Sequence, residues 1–478
     1  MKESSMHRSD GMNGAAFLTE YTAGLAEADG PHSLTVTVER SMKKNRSVTG
    51  SVPQWELWRN QAMAIKRDAL ARLPELLEEF ERNITARGAT VLWARDAAEA
   101  NRYVLEIARE HNVHSVVKAK SMVSEEMELN HVLADAGIES LETDLGEFLI
   151  QLTGKRPTHI VVPALHLSAS EIGYLFAEKL GEPFTENHEE LTAIARRHLR
   201  QKFVHADMGI SGVNFGIAET GSICLVENEG NIGLATSAPP VHVALMGIEK
   251  VIPKLAQLPL FLNMLPRNAT GQKLTSYTHM IHGVTPSKKF YLIIIDNGRS
   301  RVLDDREVGG RPLFCVRCGG CLNVCPVYRR VGGWAYGWVY PGPIGAILAP
   351  HFLGIKTAGE LPFASSLCGA CSEICPVKID IAHELVHLRR RAVTEPSLKK
   401  SLVEQSLWRG YAFLMNSAWR YRTVMWGMKL GMPLIRFMPY HPWYLGAWTR
   451  SRTLPKPPKT PPERSFREWW RKHHAEFE

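Results

Sequence analysis

Seven of the chain's eight cysteines fall in two short runs, and each run closes on Cys-Pro. The first, CVRCGGCLNVCP, carries Cys315, Cys318, Cys321 and Cys325 ahead of Pro326. The second, CGACSEICP, carries Cys368, Cys371 and Cys375 ahead of Pro376. The spacing CxxCxxCxxxCP is the one by which bacterial ferredoxins hold 4Fe–4S clusters, and in two-cluster proteins the fourth cysteine ligates the other cluster. Two runs in one chain predict two neighbouring clusters, and neighbouring clusters pass single electrons.

Other uses of these thiols fit less well. A zinc site draws on four ligands in paired CxxC or Cys/His groups, whereas the first run offers a triplet plus one. Disulfides belong to oxidising compartments, and no secretory signal opens the sequence. With the closing cysteines exchanged, the first cluster takes Cys315, Cys318, Cys321 and Cys375, and the second takes Cys325, Cys368 and Cys371. A complete second run would begin three residues before Cys368, where Ser365 stands. The second site therefore has three visible thiolates. A non-cysteine ligand, a partner's residue, a three-iron 3Fe–4S form and substrate at an open iron are all left open.

At 478 residues the chain has room for two or three domains. Hydrophobic residues at 45% and charged residues at 22% are ordinary for a globular protein. The net charge of +8 suits an acidic partner or surface, but no nucleic-acid motif accompanies it, so no nucleic-acid partner is expected. The most apolar stretch, Val424 to Trp448, is interrupted by Lys429, Pro433, Arg436, Pro439 and Pro442, so no spanning helix is expected. The expected location is cytoplasmic, with peripheral contact at the inner face of the membrane as an option.

The elements that must carry the cysteines read as follows. Residues 1–40 are expected to form a loose arm. Apolar positions from Leu57 to Phe80 recur at helical spacing, and Pro74 is expected to kink or split that stretch. Strands at Thr90–Ala94, Ser115–Ala119, Ile138–Leu141 and His159–Pro163 alternate with helices at Ala97–Glu110, Glu125–Ala136 and Ser168–Leu180. Asp96 and Ser170 are the expected N-caps. This alternation predicts a mostly parallel sheet covered on both faces. The glycine-rich stretch Asp207–Asn231 reads as tight turns with a hairpin over Ile217–Glu227, in preference to a pocket that meets a phosphate or carboxylate with backbone N–H groups. Its glycine spacing departs from GxGxxG, so a dinucleotide site is not expected. Lys288–Asp296 reads as a buried strand that ends the α/β domain, 41–296. Cys224, in the apolar run SICLV, reads as a core thiol. His159, His166, His242, His279 and His282 follow no ligand spacing.

A linker over 297–312 leads into the cysteine module, 297–392. The 42 residues from Pro326 to Leu367 that separate the runs exceed what a compact ferredoxin needs. They favour a mainly helical ferredoxin-like module, and a helix is expected to start near Asp380. The remaining 393–478 holds seven of the twelve tryptophans, interleaved with arginine and lysine. It reads as helices that cover the cysteine module, dock a partner or meet an anionic membrane surface. Leu454–Glu463 reads as a polyproline-like spacer.

DLGEFLIQL (Asp144–Leu152), GVNFGIAETGS (Gly212–Ser222), the two cysteine runs, AYGWVYPGPIGAIL (Ala335–Leu348) and SFREWW (Ser465–Trp470) occur in one order. This order resembles the lactate utilisation protein B family, the iron–sulfur subunit of a bacterial L-lactate oxidation system. The resemblance implies an α/β lactate-utilisation domain related in fold to sugar-phosphate isomerases and CoA transferases, followed by an α-helical ferredoxin-like module and a helical C-terminal segment. It also implies a heterodisulfide-reductase-like cysteine-rich partner and a second subunit with a lactate-utilisation domain. The expected function is electron transfer through two 4Fe–4S clusters during oxidation of L-lactate to pyruvate, with no catalytic residue in this chain. The alternative is an α/β domain that is itself an acyl- or sugar-phosphate-type enzyme working through Glu219 or Glu227, with the clusters as redox sensors.

Overall fold

A computed structural model describes residues 30–284, 288–395, 402–435 and 466–474. The chain divides into two units, 1–397 and 398–478. The first unit is built on a six-stranded sheet in the order β1-β10-β7-β4-β2-β3. Its strands are β1 (Thr90–Ala94), β2 (Ser115–Lys118), β3 (Glu139–Glu142), β4 (Met208–Gly212), β7 (Val241–Gly247) and β10 (Lys289–Ile295). Every pairing is parallel. A smaller sheet in the order β8-β5-β6-β9 is formed by β5 (Phe215–Ile217), β6 (Ser222–Glu227), β8 (Val251–Ile252) and β9 (Tyr277–Ile281). The hairpin expected over Ile217–Glu227 is β5–β6, turning at Gly221 with φ +62°.

Strands β7 and β10 are apolar on both faces because both faces are covered, as in parallel sheets generally. One core cluster joins Val104, Ile107, Leu129 and Leu133 of the helices to Ile210, Val243, Leu245 and Ile293 of the sheet. Asp96 caps its helix as expected, its carboxylate accepting from Glu99 N–H. At Asp144 the same device starts the helix Leu145–Thr153.

Several boundaries differ from expectation. A helix runs from Gly30 to Gly50 with Leu34 and Val38 buried, so residues 34–40 are part of the packed body rather than of a loose arm. Residues 1–29 lie outside the described residues. The stretch over 54–87 is two helices, Trp55–Ala71 and Leu73–Thr85, with Pro74 tolerated in the first turn of the second. The helix expected over 125–136 is also two, Met122–Glu126 and Leu129–Asp135, separated by Glu128 at φ +53°. His159–Pro163 is not a strand. Its backbone turns, and the N–H groups of Val161 and Val162 donate to His159 Nδ1 at 3.0 and 3.1 Å. The N-cap of the helix Ala169–Leu180 is Ser168 rather than Ser170, because Ser168 has Glu171 three residues on to complete a capping box. The expected linker 297–312 carries the helix Arg299–Asp304 and a 3₁₀ turn, Arg311–Phe314. Arg299 is wholly buried between Glu126 and Glu249, which fastens this stretch to the α/β domain.

The cysteine module is helical, as expected. The short helices Gly320–Val324 and Ala370–Ile374 pack against each other, and the first also packs on the buried, mostly apolar helix Gly342–Leu353. The helix Ile381–Thr394 starts at Asp380, whose carboxylate accepts from His383 N–H. In the second unit the described helices are Leu402–Met415, Ala418–Ile435 and Phe466–His473. Trp408, Trp419 and Trp426 are exposed there. Trp443, Trp448 and the expected spacer 454–463 lie outside the described residues.

Candidate functional site

The cysteine module sits on the carboxyl edge of the parallel sheet. Connections from β2 and β4 leave in opposite directions, so the boundary between these strands is the place where open α/β sheets hold their ligands. Loops at this edge reach the cysteine module at several points. Tyr328 donates to the carbonyl of Thr158 at 2.7 Å. Tyr340 donates to Glu126, which follows β2. Arg317, inside the first run, reaches Glu249 just after β7 at 3.5 Å. From the other side Arg59 clamps the second run, donating to the carbonyls of Cys375 at 3.0 Å and Glu373 at 2.6 Å.

The two runs share one backbone design. The residues before Cys318 and Cys368, Arg317 and Leu367, have φ of +60° and +56°. The residues after them, Gly319 and Gly369, have φ of +73° and +81°. Each pair of left-handed residues curls the chain around a cysteine and then starts a short helix. Backbone N–H groups in and just after the runs also point toward sulfur. Arg317 N–H donates to Cys315 Sγ at 3.4 Å, Tyr328 N–H to Cys325 Sγ at 3.4 Å and Ile379 N–H to Cys375 Sγ at 3.3 Å.

The closing cysteines exchange places. Cys375 lines one cavity together with Cys315, Cys318 and Cys321, among Ile160, Val316, Ile344, Val377, Ile379 and Ile381. Cys325 is outside that lining and lies near enough to Cys368 and Cys371 for their charges to act on one another. Cys368 is exposed, and the other six thiols of the two runs are buried or half-buried. Ser365, at the position of the missing cysteine, accepts from Leu367 N–H at 3.1 Å.

The cavity's donors are four thiols with no imidazole or carboxylate in its lining, a donor set that fits a thiolate-held iron–sulfur cluster. Burial pushes the Cys318 thiol up to about 11, with Cys315 adding to the rise and the Asn268 amide opposing it. Burial likewise raises Cys375 to about 12 and Cys371 to about 11. Ligation must therefore expel protons that the bare chain holds tightly, so iron loading releases acid. On the Cys315 side lie the cations Arg317, Lys250 and Lys66. They suit a thiolate-bound cluster, which is a net anion.

The remaining candidates have structural partners. Cys224 is fully buried in β6, and burial lifts its thiol to about 12, in keeping with a core thiol. His242 meets Ser211 Oγ at 2.8 Å, and His282 meets Ser222. His159 is buried and held neutral, its burial depressing it to about 3. Glu219 is exposed and accepts from Leu255 N–H at 2.9 Å. Glu227 is buried, accepts from the N–H groups of Ile232 and Gly233 and pairs with His279. Both carboxylates thus hold loops in place. A cluster of buried Lys118, Glu142 and Glu147 with half-buried Glu125 at the carboxyl ends of β2 and β3 escaped sequence reasoning. Only its place in DLGEFLIQL hinted at Glu147.

Comparison with known proteins agrees with this architecture. Residues 77–302 match the LUD domain, 313–379 a 4Fe–4S dicluster domain and 381–475 the C-terminal domain of lactate utilisation protein B. The fold and site thus define an iron–sulfur protein with an α/β LUD domain. Lactate utilization protein B of Bacillus pumilus is 39% identical over 96% of this chain and 98% of its own. That of Bacillus cytotoxicus is 41% identical over 88% and 89%. An uncharacterized electron transport protein of Escherichia coli, YkgF, is 38% identical over 92% of each chain. The chain belongs to the lactate utilisation protein B family.

Proposed function

We propose that this chain is the electron-transfer subunit of a system that oxidises L-lactate to pyruvate. In this reading Cys315, Cys318, Cys321 and Cys375 hold the first 4Fe–4S cluster. Cys325, Cys368 and Cys371 hold the second, as a cubane with a non-cysteine fourth ligand or as a 3Fe–4S form. The observation that carries the reading is the exchange of Cys325 and Cys375 between the two cysteine groups. That exchange is how two-cluster ferredoxins bring their clusters together.

Bound clusters would accept the electron pair of lactate oxidation one electron at a time. The chain's own residues set the conditions. The isoleucines and valines around the cavity exclude water from the first site. Backbone N–H groups donate to Cys315, Cys325 and Cys375, favouring thiolates. The exposure of Cys368 supports a second site near the surface, within reach of a carrier or partner. The cysteine-rich heterodisulfide-reductase-like subunit and the second LUD subunit are the proposed partners, in keeping with the family resemblance. Among the described residues no helix is long and apolar enough to cross a membrane.

The test is anaerobic reconstitution of the full chain with its neighbouring subunits, followed by lactate addition. The reading expects lactate-dependent bleaching of the cluster absorption, lost in Cys318→Ser. Pyruvate formation at an unchanged rate with Cys318→Ser would overturn it.

A further inference from the structure

We propose that Asn268, a residue of the α/β domain, raises the reduction potential of the first cluster by donating a hydrogen bond to Cys318, with Asn45 holding the amide in the donating orientation. The inference rests on the reading of Cys318 as a cluster ligand.

Asn268 lies near the end of the helix Leu258–Ala269, outside the cysteine module. Its Nδ2 is 3.1 Å from Cys318 Sγ, and both residues are buried. The orientation of the amide follows from its other end. Asn45, also buried, donates from Nδ2 to Asn268 Oδ1 at 3.4 Å and to the carbonyl of Arg267 at 2.9 Å. Turning the Asn268 amide over would set two N–H donors face to face and aim its oxygen at a thiolate. The close approach also needs Gly320, since a Cβ there would stand 2.4 Å from Asn268 Nδ2.

The effect on potential has a definite sign. Reduction places one electron, from an electrode or a low-potential donor, on the cluster and breaks no bond. The added negative charge is shared by the ligand sulfurs. A neutral N–H donor on sulfur therefore stabilises the reduced form more than the oxidised one, and the potential rises. The α/β domain would then set the driving force of the first cluster, as well as carrying the module that holds it.

The experiment is an electron paramagnetic resonance redox titration of the full, anaerobically prepared chain, with iron and sulfide analysis of every sample. Asn268→Leu removes the donor at similar volume, and Asn268→Asp replaces it with an anion. The proposal expects one midpoint to shift downward in Asn268→Leu and further in Asn268→Asp, with the other midpoint fixed and the iron content unchanged. Unaltered midpoints in iron-replete Asn268→Leu would overturn it. Should these variants lose iron, Asn45→Ala decides. It frees the amide without touching the cysteine loop, and a smaller downward shift is expected, whereas none refutes the proposal. Failure of the underlying reading looks different, because wild-type protein would then contain no cluster to titrate.

Discussion

Gly319 and Gly369 occupy the same place in the two cysteine runs and share a left-handed backbone, with φ of +73° and +81°. Their surroundings differ. A Cβ on Gly319 would come within 3.0 Å of His159 Cε1 and 3.1 Å of Val161 Cγ2, whereas one on Gly369 would meet nothing within 4 Å. The first loop is pressed against the α/β domain and the second is open.

This asymmetry predicts unequal costs for the same substitution. Gly369→Ala is expected to cost about 1–2 kcal/mol, the strain of a left-handed L-residue. Gly319→Ala is expected to cost more, because His159 or the loop must also move. Urea unfolding of the two variants, side by side, measures the difference. Equal midpoints would show that the Gly319 contact carries no energy.

The buried Arg299 ties the α/β domain to the segment that leads to the cysteines. It pairs with Glu126 at 2.8 Å and with Glu249 at 2.5 Å, and none of the three side chains is exposed. Removing one partner of a buried pair leaves uncompensated charge, at about 3–5 kcal/mol. Arg299→Met is expected to lower the denaturation midpoint by that order. A loss under about 1 kcal/mol would mean that water reaches the two carboxylates.

Glu147 gives stability a pH dependence. Burial pushes its carboxyl up to about 8 despite Lys120 at 3.6 Å. Between the ordinary carboxylate range and pH 8 the folded chain holds this proton more tightly than the unfolded chain. The site therefore loses stability as pH rises through that window. Glu147→Gln keeps the neutral form at every pH. Its stability relative to the parent protein is expected to improve steadily from about pH 5 to pH 8 and then level off. A difference independent of pH, measured by denaturant titration, would contradict the assignment.

The exchange of closing cysteines makes a prediction against sequence order. Cys375→Ser lies in the second run but is expected to damage the same cluster as Cys315→Ser. Cys325→Ser is expected to behave like Cys371→Ser. Resonance spectra of the four variants sort them into these pairs. Sorting by run instead would show that each run holds its own cluster.

The cysteine runs were legible because ligand spacing is local, and so was the capping of the helix after Asp96. What escaped sequence reading depends on partners distant in the chain. Strand β7, VHVALMG, has both faces buried and so no period-two alternation, and it went unrecognised although it lies inside the six-stranded sheet. Arg299 looked like part of a polar linker, since nothing near it in sequence announces Glu126 or Glu249. His159–Pro163 looked like a strand, but the imidazole captures the backbone N–H groups that a ladder would need. The contact between Asn268 and Cys318 spans 50 positions and has no motif.

The most direct test of the central claim is iron and acid-labile sulfide analysis with electron paramagnetic resonance on anaerobically prepared full-length protein. The account predicts brown protein with two interacting paramagnetic centres after reduction, and about seven or eight irons per chain. Colourless, correctly folded protein that binds zinc and takes up neither iron nor sulfide on reconstitution would contradict it.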